Sequence, residues 1–369
     1  MRDLPLARPR LGLIGLLVDA HAISKSGTLT GGKFLNKFED SLKEYLDTSN
    51  VVAVSSATTA LECAIASISH SGKDEILVAD FSFPATANSV AWLGLKPVLV
   101  DCKPNSFSID LEHASRLLNK NTRALIAVDP FGMSSDFKAI SEFCREKNLV
   151  FIEDAACAIG STYHGKKLGT FGDLGCISFH PRKLLTTGEG GAITSESKDL
   201  AEGVRKLRSH GAKPYEQFFE FEEIGTNARL SEISASIGIR QLKKLEAEIR
   251  NRKKVYTLYK ESLQGCTGIT FPEIPDGLEW NYQSMVVLTK SNEIRNHIVK
   301  VLRAEKIGAT LGTYAAHAQP SFAHLGYKAG DLPNSFKFQE ISLTLPMFGK
   351  LSASSVDRIC HIVKSAVNE

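Results

Sequence analysis

From residue 51 to residue 154 the chain alternates short apolar runs with amphipathic stretches, and this alternation limits the fold more than any other feature. Residues 51–54, 76–79, 97–100, 124–128 and 149–152 read as buried strands. The turn at 55–59 opens a helix that runs through Ile68, and residues 85–93, 111–118 and 136–147 read as further helices. Apolar strands separated by helices predict an α/β fold with a largely parallel sheet covered on both faces. Ligands on such sheets bind outside the carboxyl ends of the strands. The polar residues that follow each strand are therefore the first candidates for function.

The flanking regions fit a larger and a smaller domain. Ser26-Gly27-Thr28-Leu29-Thr30-Gly31-Gly32 is a loop of small residues, and Phe34, Phe38, Leu42 and Tyr45 then fall at helical spacing. Residues 198–208 read as a helix, and residues 230–264 as one long helix or two, with Leu242, Leu245, Ile249, Tyr256, Tyr259 and Leu263 on one stripe. Arg250, Arg252, Lys253 and Lys254 read as a solvated helix face. After a shift to Gly, Pro and Thr at 265–278 come a strand at 284–288 and helices at 293–305 and 354–367. These predict a large domain over 1–245 and a smaller α+β domain over 246–369.

Bulk properties exclude several classes. A net charge of +3, with no basic cluster interleaved with aromatics, gives no footprint for nucleic acid or acidic membrane. No apolar run reaches the ~18 residues of a membrane span. Seven scattered cysteines without C-x-x-C predict reduced thiols, a cytoplasmic location and no structural zinc. The ten histidines show no metal-ligand spacing.

Four strand-end features converge on one ligand. Ser178-Phe179-His180-Pro181-Arg182-Lys183, followed by Leu184-Leu185-Thr186-Thr187-Gly188-Glu189-Gly190-Gly191, places a lysine in a glycine-rich turn, where its amine can attack a carbonyl. Ser55-Ser56-Ala57-Thr58-Thr59 puts small residues at a helix start, where backbone amides favour an anion. Asp154 ends an apolar strand in the crevice and needs a cationic partner there. Phe83 offers an aromatic face at the same edge. Pyridoxal 5′-phosphate (PLP) has the phosphate, ring, basic ring nitrogen and aldehyde that suit all four, and its protonated ring serves as an electron sink.

The sequence resembles the DegT/DnrJ/EryC1/StrS family of sugar-nucleotide aminotransferases, of PLP fold type I (aspartate aminotransferase-like). The resemblance spans nearly the whole chain. Its motifs are the small-residue loop at 26–32 with Phe38-Glu39, and Val54-Ser55-Ser56-Ala57-Thr58-Thr59-Ala60-Leu61. They continue with Glu153-Asp154-Ala155-Ala156-Cys157-Ala158, the lysine stretch, and Gly225-Thr226-Asn227-Ala228-Arg229-Leu230 with Gln241-Leu242. It implies that Lys183 bonds the cofactor and that Asp154 pairs with its ring nitrogen. Phosphate would be held by Ala57 and Thr58 through the backbone and by Ser178 through its hydroxyl. Phe83 would stack on the ring, and Cys157 would lie near the phenolic oxygen, where many members carry Gln. Asn227 would reach the neighbouring subunit's cofactor, which implies a homodimer with shared active sites.

The expected reaction is transamination of a nucleotide-linked keto-sugar, 4-keto-6-deoxy by resemblance, with L-glutamate as donor. Such amino sugars serve polysaccharide or O-antigen biosynthesis. Arg182, Glu189, Tyr314 and His317 are the candidate substrate contacts. A 3-keto sugar, a PLP- or PMP-dependent sugar dehydratase and a regulatory homologue without turnover are the alternatives. Dehydratases of the family carry histidine in place of the lysine, so Lys183 speaks against the second.

Overall fold

The computed structural model describes residues 3–9, 11–68, 72–133 and 136–368. At its centre is a seven-stranded sheet made of β1 (Asn50–Val54), β2 (Glu75–Ala79), β3 (Lys96–Val100), β4 (Thr122–Val128), β5 (Val150–Asp154), β6 (Leu174–Ser178) and β7 (Gly191–Ser195). The spatial order is β1-β7-β6-β5-β4-β2-β3. Pairings among β6, β5, β4, β2 and β3 are parallel. Only β7 runs against both of its neighbours in this sheet, because the chain turns straight back from β6. That return, residues 179–190, is the stretch that carries Lys183.

Successive strand residues feed opposite apolar layers, as expected of a sheet buried on both faces. Leu77, Leu125 and Phe151 pack with Phe38, Phe137, Ile140 and Ala235 on one side. Ile76, Val78, Ile126 and Ile152 pack with Leu61, Val90, Ala201 and Val204 on the other. The helix after β1, Ala57–Ser67, starts with a reciprocal cap. The Ser56 hydroxyl accepts from the Thr59 amide at 3.0 Å, and the Thr59 hydroxyl accepts from the Ser56 amide at 3.0 Å.

The stretch at 230–264 is two helices, Glu232–Leu242 and Leu245–Ser262. Beyond it an antiparallel sheet runs in the order Ile269–Thr270, Met285–Thr289, Ser342–Leu345, Thr310–Leu311. Its apolar cluster includes Tyr259, Val287, Ile298, Leu343 and Val363, and also takes in Phe81, Phe107 and Phe131 from the N-terminal half. Tyr314–Ala315 crosses back to pair with Phe81–Ser82, and Leu278–Glu279 to pair with Thr162–Tyr163.

One sequence expectation is corrected. Arg252 is not on a solvated face: it is 4% exposed, donates to Glu248 at 3.0 Å and caps the Gln283 carbonyl at 3.0 Å. Helices Leu13–Ser26 and Pro333–Ile341, and the hairpin of Ala212–Tyr215 with Phe218–Phe221, add to the elements read from the sequence. Among the described residues, no helix is long and apolar enough to cross a membrane.

Candidate active site

Strand register assembles the site. Val54 lies beside Gly191, and Gly191 beside Ser178, so three strand ends form one lateral row. Asp154 lies beside Cys176, two residues before Ser178. Gly191 is required by a close approach, since a Cβ there would sit 2.6 Å from the Ser56 carbonyl. The phosphate-type turn is thus pressed against the strand that follows the lysine loop. First-turn amides of a helix have no acceptor within it, so the amides of Ala57 and Thr58 are placed to meet an anion.

Asp154 is buried at the floor. Its Oδ2 accepts from the Thr86 hydroxyl at 2.7 Å and its Oδ1 from the Ala156 amide at 3.2 Å. Burial pushes the carboxyl up, while Thr86, Ala156 and the charge of Lys183 pull it down, and burial wins. A carboxylate held this way gains from a cation brought against it.

Lys183 is half-buried, and its Nζ donates to Cys157 Sγ at 2.9 Å. The Ser178 hydroxyl accepts from the His180 amide at 3.3 Å and keeps its own proton free to donate. Burial pulls the His180 imidazole down, against the opposing charge of Glu189.

The mouth is more open. Phe83 is 66% exposed, and the Tyr314 ring stands 6.3 Å from it, edge to face. Arg182, Glu189 and Asn227 are exposed. His317 is placed differently: its ring is buried, and Nδ1 lies 2.6 Å from Asp80 Oδ2. The structure therefore gathers Ala57, Thr58, Asp154, Cys157, Ser178 and Lys183 at the sheet edge, and Phe83 with Tyr314 at the rim. His317 is engaged with Asp80 inside the protein.

Sequence reasoning assigned no role to Thr86, although it lies at the start of the helix read over 85–93. It also missed Asn281 and Gln283. The Gln283 carboxamide accepts from Leu184 N at 2.9 Å and donates to the Arg182 carbonyl at 2.9 Å, on either side of Lys183. No local pattern marks these residues, because their partners are remote in sequence.

The aminotransferase family model described as DegT/DnrJ/EryC1/StrS matches residues 17–364. The chain belongs to the DegT/DnrJ/EryC1/StrS aminotransferase family. It is 33% identical to GDP-perosamine synthase of Caulobacter vibrioides, over 89% of this chain and 88% of that protein. It is 37% identical to UDP-4-amino-4,6-dideoxy-N-acetyl-beta-L-altrosamine transaminase of Campylobacter jejuni, over 65% of this chain and 64% of that one. Helicobacter pylori PseC, an aminotransferase involved in the biosynthesis of pseudoaminic acid, superposes with a TM-score of 0.93 at 28% identity over 100% of both chains.

The architecture is accordingly fold type I, and the chain is a PLP-dependent aminotransferase. The residues present fit the cofactor. A buried carboxylate suits a protonated ring nitrogen, the exposed Phe83 ring suits a stacked heterocycle, and the first-turn amides of Ala57 and Thr58 suit a phosphate.

Proposed function

We propose that this aminotransferase carries an amino group from L-glutamate to the ketone of a nucleoside-diphosphate-linked 4-keto-6-deoxy sugar, giving the amino sugar. The observation that supports it most is the meeting of a lysine amine, a buried carboxylate and the free amides of a helix start at one sheet edge. The relative whose name specifies a 4-amino-4,6-dideoxy sugar favours position 4. Amino sugars of this kind suit polysaccharide or O-antigen biosynthesis. The seven free thiols suit a reducing cytoplasm.

Bound here, the cofactor supplies an aldehyde that bonds amines and a ring that accepts an electron pair. Asp154 keeps a proton on the ring nitrogen. Ala57 and Thr58 hold phosphate through their amides, with the Ser178 hydroxyl beside them. Phe83 would stack on the ring, and Cys157, with Sγ 2.9 Å from Lys183 Nζ, would lie beside it. Lys183 Nζ would serve as the base that holds and moves the proton of the substrate carbon. Arg182, Glu189 and Tyr314 line the approach for sugar and diphosphate, with the buried His317 behind them as a support.

The active assembly in this reading is a homodimer with shared sites. Phe218, Phe219, Phe221 and Ile224 are 65–97% exposed on and beside the hairpin that leads to Asn227. Apolar side chains this exposed favour a covered surface, and Asn227 would then extend towards the partner's phosphate.

The test is a visible spectrum followed by half-reactions. Cofactor added to the protein should give a band that Lys183→Ala does not form. L-Glutamate alone should bleach it, and a panel of 4-keto and 3-keto nucleotide sugars should restore it only with the former. Full turnover by Lys183→Ala would defeat the mechanism, and restoration by 3-keto sugars alone would move the amine to position 3.

A further inference from the structure

Lys183 and Cys157 are brought together by two loops, residues 179–190 and 155–161, and one short segment holds both. Asn281 is buried, and its Nδ2 donates to the Cys157 carbonyl at 2.9 Å and to the Ile159 carbonyl at 2.9 Å. Its amide donates to the Ser161 hydroxyl at 3.1 Å, which itself donates to the Gly132 carbonyl at 2.8 Å. Gly132 lacks the Cβ that would stand 2.4 Å from Asn281 Oδ1. Two residues on, Gln283 accepts from Leu184 N and donates to the Arg182 carbonyl, bracketing Lys183. Asn281 Oδ1 accepts from the Gln283 backbone amide at 2.9 Å, which ties the Asn281 side chain to the Gln283 main chain.

The segment is anchored in turn. Tyr282, between the two amides, has φ +55°, a left-handed conformation that is costly for a bulky residue. Such a conformation persists only where the surroundings over-determine it. Arg252 Nη1 donates to the Gln283 carbonyl at 3.0 Å, and Glu248 Oε1 accepts from both Arg252 Nε at 3.0 Å and Gly349 N at 2.9 Å. A side-chain clamp rooted in the C-terminal half thus reaches the lysine loop and the Cys157 turn together.

We propose that Gln283 and Asn281 are positioning residues that fix Lys183 Nζ against Cys157 Sγ, and so set the place from which the lysine amine works. Neither touches the reacting atoms. Gln283 fixes the backbone on both sides of the lysine, and Asn281 fixes the backbone of the cysteine. Shortfalls of about 1 Å in the position of a reacting group cost up to about a hundredfold in rate, so the clamp matters to turnover as well as to folding. The catalytic part of this proposal rests on Lys183 being the cofactor lysine. The geometric part does not.

The test separates the two. Ortho-phthalaldehyde joins an amine and a thiol within bonding reach into a fluorescent isoindole, with loss of two waters. On cofactor-free protein the adduct should form between Lys183 and Cys157, as located by peptide mass spectrometry. Gln283→Leu keeps the volume and severs both hydrogen bonds. It should slow that adduct at least about tenfold. Gln283→Glu keeps the acceptor for Leu184 N and should fall between the two proteins. It carries the test if Gln283→Leu does not fold. In cofactor-loaded protein, kcat should fall roughly ten- to a hundredfold with KM for the keto substrate unchanged. An adduct rate in the variants equal to wild type, alongside a lowered melting temperature, would reduce the clamp to packing. Absence of the Lys183–Cys157 adduct from wild type would overturn the proposal outright. A band formed by Lys183→Ala would instead sink the role of the lysine and leave the adduct result standing.

Discussion

The Thr86 hydroxyl donates to Asp154 Oδ2 at 2.7 Å, tying the first turn of the helix Ala85–Trp92 to the end of β5. This bond fixes the carboxylate plane on the floor of the site. Thr86→Val keeps the shape and removes the donor. A hydrogen bond to a charged group contributes about 1.5–3 kcal/mol. We expect cofactor affinity to weaken roughly ten- to a hundredfold, and Thr86→Ser to recover most of it. Titration of the visible band measures both, and an unchanged affinity in Thr86→Val would remove the hydroxyl from the site.

Asp154→Asn should cost more. The amide cannot hold a proton on a ring nitrogen by charge, while the fold keeps its shape. Loss of a group that stabilises developing charge costs of order 10²–10³ in kcat. Single-turnover kinetics with L-glutamate would show the loss in the chemical step, with the cofactor still bound.

The buried pair of His317 and Asp80 makes stability depend on pH. Burial pulls the imidazole down, the adjacent Asp80 carboxylate pushes it up, and the net is upward from 6.5. A raised histidine adds stability that is fully present below its unfolded value and is lost as pH rises through the folded one. Relative to His317→Asn, the wild type should hold its largest melting-temperature advantage below pH 6.5 and lose it progressively above. A flat difference across that range would show that the pair carries no proton linkage.

Arg252 should be intolerant of truncation. It is buried, and Arg252→Ala leaves the Gln283 carbonyl without that donor and Glu248 without its charge partner. Breaking a buried pair from one side costs about 3–5 kcal/mol, and Glu248 is partly solvated, so the lower end applies. Urea unfolding would measure this, and a cost under about 1 kcal/mol would place the residue with ordinary surface positions.

The exposed phenylalanines test the assembly. Phe218→Asp with Phe221→Asp should leave the protomer's melting temperature near wild type and shift its sedimentation towards the single chain. Unchanged association would assign the contact of the proposed dimer to another surface.

The alternation of strands and helices was legible because it repeats within a few residues and depends on burial alone. The strand-end positions of Asp154 and Ser178 followed from it, since a parallel sheet puts the ends of β5 and β6 on one edge. The direction of β7 was not legible, because nothing in a buried five-residue run states which way it points. Arg252 looked solvated beside Lys253 and Lys254 for a related reason: the Gln283 carbonyl it caps lies about thirty residues away, where sequence spacing cannot bring it near. Thr86 meets Asp154 across 68 residues, and Gln283 meets Arg182 across 101. Such contacts are set by tertiary closure.

The lateral row of Val54, Gly191 and Ser178 has an evolutionary consequence. A slip of one residue in any of these strands would turn its side chains to the opposite face, so the end of the site that holds the cofactor can drift very little. Arg182 and Glu189, exposed at the mouth and outside any strand, are under no such constraint. The molecule can therefore inherit its chemistry unchanged while its choice of sugar is rewritten at the edge.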